Sequence, residues 1–68
     1  MTYHAKLIQN EIESSAQLEC MTINSVDQSS TVHEAALAMK DAFPCLFECD
    51  LKTAVEAIMP WWNDSHRE

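Results

Sequence analysis

The chain has 68 residues, with eleven Asp and Glu against four Lys and Arg and a formal net charge of −7. A chain of this length can build one core, which removes only about 60% of its extended surface from water, so the expectation is a single domain over residues 1–68. A hydrophobic fraction of 47% and a charged fraction of 22% suit a folding globular domain rather than a disordered tail, and the acidic excess argues against direct binding to nucleic acid or a membrane surface.

In chain order, the first segment alternates at Tyr3, Ala5 and Leu7 before the polar Gln9 and Asn10, and residues 16–20 alternate again and continue into Met21, Thr22 and Ile23. Period-two alternation predicts two short strands. Read as helix, the same region sets Ile8, Ile12, Ala16 and Cys20 four apart, but Glu19 and the Ser14-Ser15 pair interrupt the apolar face.

A helix is predicted over residues 31–43. Thr31 with Glu34 fits a capping box, Val32, Ala35, Ala36, Met39 and Phe43 share one stripe, and Pro44 stops the element. Residues 45–49 alternate at Cys45, Phe47 and Cys49 and predict a third short strand, although the segment can also open a longer helix through Phe47, Leu51, Ala54, Val55, Ile58 and Trp62. A second helix over residues 51–59 starts from Asp50 as N-cap and carries Leu51, Ala54, Val55 and Ile58 inward. Pro60 then ends or kinks it, Trp61 and Trp62 follow in a last turn, and residues 63–68 form a polar tail expected to fray. With no glycine anywhere in the chain, tight hairpins lose their most favourable residue.

The fold expected from these elements is α+β, a small β-β-α-β-α domain with two helices on one face of a short sheet; the alternative is an all-α bundle of three or four helices. Its expected core is Val32, Ala36, Met39, Phe43, Leu51, Val55 and Ile58.

No run reaches the roughly 18 apolar residues of a membrane span, and no basic segment leads into an apolar stretch and cleavage site, so the expected compartment is the cytoplasm. Cys20, Cys45 and Cys49 lack the dense spacing of a disulfide scaffold and are expected to be reduced thiols packed as small apolar groups. Together with His4, His33 or His66 they would make a zinc set, but the closest pair is Cys45-x-x-x-Cys49, without the knuckle spacing of structural zinc sites. Neither a metal nor a cofactor is expected. The acids Glu48 and Asp50 disfavour a nucleophilic thiolate at Cys45 or Cys49, and nothing sets Glu11, Glu13, Glu48 or Asp50 in a cleft as paired catalytic carboxylates. His33, beside Glu34, reads as an exposed surface imidazole. No catalytic residues are expected.

What remains is a binding surface. Leu37 lies opposite the apolar stripe of the first predicted helix, on the face of Glu34 and Asp41, and Trp61 and Trp62 sit at the end of the second, where one indole is expected in the core and the other free for a partner. These five residues form the expected partner-binding site of a non-catalytic acidic protein that docks on another protein with a basic surface. Phage and plasmid inhibitors of host nucleic-acid machines, of the anti-CRISPR or anti-restriction type, are similar in size and charge, with no shared motif. A small homodimeric structural or regulatory component is the alternative reading, and a zinc-stabilised adaptor a weaker one.

Overall fold

The computed structural model describes residues 2–66, and these form four helices, α1 (Tyr3–Glu13), α2 (Ala16–Gln28), α3 (Val32–Ala42) and α4 (Leu51–Ser65), with no strand among the described residues. The β-β-α-β-α expectation is therefore overturned in favour of the four-helix alternative. Each helix is opened in the same way: a side-chain oxygen at the N-cap accepts from the backbone amide three residues on. Thr2 accepts from Ala5, Ser15 from Leu18, Thr31 from Glu34 and Asp50 from Thr53. Such contacts satisfy amides that have no partner within the helix.

The expected N-terminal strands fail for a local reason. Ser14 and Ser15 do not interrupt one helix; they join two. The Ser14 amide closes α1 on the Asn10 carbonyl at 3.0 Å, and Ser15 caps α2. Across the joint the buried stripe changes phase, from Ala5, Ile8 and Ile12 on α1 to Thr22 and Val26 on α2. Thr22 makes the second stripe look polar in sequence, yet its hydroxyl donates to the Leu18 carbonyl at 2.8 Å and the side chain is fully buried. A buried hydroxyl bonded in this way escapes the cost of an orphaned polar group.

Residues 45–49 are not a strand either. With residues 3–13 and 16–28 helical there is no neighbouring strand to pair with, and the segment instead turns back on itself after Pro44. The Phe47 amide donates to the Phe43 carbonyl at 3.0 Å, and the Phe47 ring is driven inward as the bulkiest of the fully buried side chains. Lys40, partly buried on α3, ties the segment down by donating from Nζ to the carbonyl of Phe47 at 3.1 Å and to that of Cys49.

α4 is the centre of the packing: it meets all three other helices, while α2 also meets α1 and α3. Ala54, Val55, Ala57 and Ile58 form its buried face, against Ala35, Ala36 and Met39 of α3 and the stripes of α1 and α2. Of the expected core, Ala36, Met39, Val55 and Ile58 are buried, whereas Val32, Phe43 and Leu51 are only partly covered at its edge. Ala5, Ile8, Ile12, Val26 and Phe47 complete it.

Pro60 does not end α4. A proline inside a helix leaves the carbonyl four residues earlier without its amide donor, and here that carbonyl belongs to Glu56. The nearly buried side chain of Gln9, on α1, donates from Nε2 to the Glu56 oxygen at 3.2 Å and replaces the missing bond. The helix then continues through residues 61–65, including the start of the segment expected to fray. Its last turns are fastened to α2: the Ser65 hydroxyl donates to the Asp27 carboxylate, and a ring nitrogen of His66 lies 3.2 Å from the Val26 carbonyl. The expected tail residues Arg67 and Glu68 lie outside the described residues.

Candidate functional site

α3 turns Ala35, Ala36 and Met39 inward, so Leu37 faces out and is 52% exposed. Glu34 and Asp41, three residues before it and four after it, are exposed on the same side. The sequence-predicted acidic face with an apolar centre is therefore present on α3.

The two indoles lie elsewhere, on α4. Both are partly buried against the core. Trp62 stacks on His66, with ring centroids 3.8 Å apart. Trp61 points its Nε1–H at Glu19 Oε2, 3.3 Å away on α2. Around Trp61 an open groove of about 400 Å³ is walled by Ile23 and Pro60, with Glu13, Glu19, Asn63 and Asp64 supplying polar groups. None of its lining residues belongs to α3. The five predicted residues thus fall into two sets: an α3 face of Glu34, Leu37 and Asp41, and α4 indoles of which Trp61 lines the groove.

Of the groove residues only Trp61 was in the expected site; Glu13, Glu19, Ile23, Pro60, Asn63 and Asp64 were missed. Glu19 and Ile23 are one helical turn apart on α2, but that relation exists only once residues 16–28 are read as helix. A second, more apolar groove of about 320 Å³ is lined by His4, Leu7, Ile8, Asn10, Glu11, Cys45 and Leu46, where α1 meets the turn after Pro44.

The surface charge is one-sided. Exposed carboxylates occur on every helix, with Glu11 and Glu13 on α1, Asp27 on α2, Glu34 and Asp41 on α3 and Asp64 on α4, and Glu48 and Asp50 extend them into the connecting segment. Among the described residues the exposed lysines are Lys6 and Lys52, since Lys40 is committed to backbone carbonyls. Asp50 is held below the usual carboxylate range by its hydrogen bonds from Thr53, with Lys52 and Lys40 adding to the effect.

The cysteines correct another expectation. Cys20 and Cys45 are exposed and only Cys49 is partly covered, because Cys20 faces away from the Thr22 and Val26 stripe and Cys45 sits on the outer turn. Burial pushes the Cys49 thiol above its ordinary range, opposed by Lys40 and reinforced by Asp50. Among the described residues no group of three or more His, Cys, Asp or Glu side chains is placed to hold a metal ion, and no helix is long and apolar enough to cross a membrane.

No family model, curated protein or solved structure matches this chain. The site has to be read from its own chemistry.

Proposed function

We propose that this chain is a non-catalytic acidic protein-binding module that docks on a basic surface of another protein, at a site that ordinarily holds nucleic acid. The observation that carries this reading is the one-sided charge: carboxylates ring the four helices, while one of the few lysines is withdrawn into the fold by the Phe47 and Cys49 carbonyls. Carboxylates spread in this way occupy a basic groove as phosphates do and speed encounter with it. Inhibitors of the anti-CRISPR or anti-restriction type, which act on host nucleic-acid machines, share this size and charge.

The test is affinity capture from the source cell after nuclease treatment, followed by competition on the recovered complex. The expected result is a basic protein that is released by added duplex DNA and whose association slows as salt is raised. Recovery of copies of this chain alone, with a dimer mass by light scattering, would contradict the proposal and favour a homodimeric component.

A further inference from the structure

We infer that the groove between α1, α2 and α4 is an arginine pocket, which accepts the guanidinium of a side chain on the partner's surface. This rests on the basic-partner reading above and adds to it a specific seat and a preference for arginine over lysine.

Three features of the groove point the same way. Its polar rim carries the carboxylates of Glu13 and Glu19. One wall is an indole: Trp61 donates Nε1–H to Glu19 Oε2, which sets a carboxylate beside the ring in the groove lining. The remaining walls are Ile23 and Pro60, both apolar side chains.

A guanidinium matches all three. It is planar, weakly hydrated and rich in donors, so it can lie against an aromatic surface while forking to carboxylates. Its methylene stem finds apolar walls. An ammonium is a compact, strongly hydrated charge that gains less from an indole and would leave much of a groove of about 400 Å³ to water. The α3 face lacks this enclosure. Glu34, Leu37 and Asp41 supply a steering charge and one apolar contact, whereas Trp61 and its carboxylates supply a seat.

The test uses the full chain and two capped six-residue peptides, identical except that arginines in one are lysines in the other. Binding at low salt is followed by the Trp61 indole N–H resonance. The pocket predicts that the arginine peptide moves this resonance saturably and binds about fivefold tighter than the lysine peptide. Combining Glu13→Gln with Glu19→Gln should weaken the arginine peptide about tenfold, because two charge-assisted contacts become neutral ones. The amide oxygen introduced at position 19 can still accept from Trp61, so the fold is kept. Glu34→Gln with Asp41→Asn should leave affinity within about twofold, since those charges act only at a distance. Equal affinity for the two peptides, a silent Trp61 resonance, or insensitivity to the Glu13 and Glu19 changes would overturn the pocket. If the peptides shift α3 resonances instead, the pocket fails while the basic-partner reading stands; if neither peptide binds, both fail.

Discussion

Pro44 and Pro60 each withdraw an amide hydrogen from the chain, yet α3 is over before Pro44 is reached, whereas α4 runs past Pro60 to Ser65. A proline leaves the carbonyl four residues back without its amide donor. At Pro60 that carbonyl, on Glu56, receives the side-chain amide of Gln9 from across the core. At Pro44 the chain takes the other course. Phe43 leaves the helical region at φ −131° and ψ 67°, its amide makes a last bond to Met39, and the chain reverses into the turn anchored by Phe47. A proline is thus a stop or a continuation according to its tertiary surroundings, and here the continuation builds the site: Trp61, Asn63 and Asp64 line the acidic groove only because α4 goes on.

If Phe47 is the anchor that makes termination stable, Phe47→Ala should cost about 3 to 5 kcal/mol, as full truncation of a buried aromatic does. Phe43→Ala should cost less, since Phe43 is only partly covered. Urea denaturation of the two variants decides the point, and a larger loss at Phe43 would mean that the turn is not held by Phe47.

A smaller effect is expected at Lys40. Replacing it with Met keeps the apolar stem but removes the charge-assisted bonds to the Phe47 and Cys49 carbonyls, which should cost about 1.5 to 3 kcal/mol. Unchanged stability in the same denaturation experiment would show those carbonyls to be equally well served by water.

These contrasts also explain what could be read from the sequence. α3 and the start of α4 were legible because their signals are local: Thr31 and Asp50 cap them, and their apolar stripes are unbroken. The exposure of Leu37 followed from the same wheel. The N-terminal half was not legible, because Thr22 puts a hydroxyl into a buried stripe and Ser14-Ser15 resembles an interruption when it is a joint between two helices. The fate of Pro60 was out of reach for a stronger reason. Gln9 and Glu56 are 47 residues apart, so no local pattern announces that the orphaned carbonyl has a donor. The groove shares this difficulty, since Glu13 and Glu19 come beside Trp61 only after α1 and α2 have packed on α4.

Gln9 carries α4, and with it the Trp61 groove, past Pro60. A double-mutant cycle on Gln9→Leu and Pro60→Ala, read by urea denaturation, tests it most directly. In the protein with Pro60, Gln9→Leu strands the Glu56 carbonyl and should cost about 1 to 3 kcal/mol. With alanine at position 60 the backbone supplies its own amide, so the same change should cost less than about 0.5 kcal/mol, leaving a clear coupling between the sites. Equal costs in the two backgrounds would contradict the account, because Gln9 would then stabilise the fold without regard to the proline.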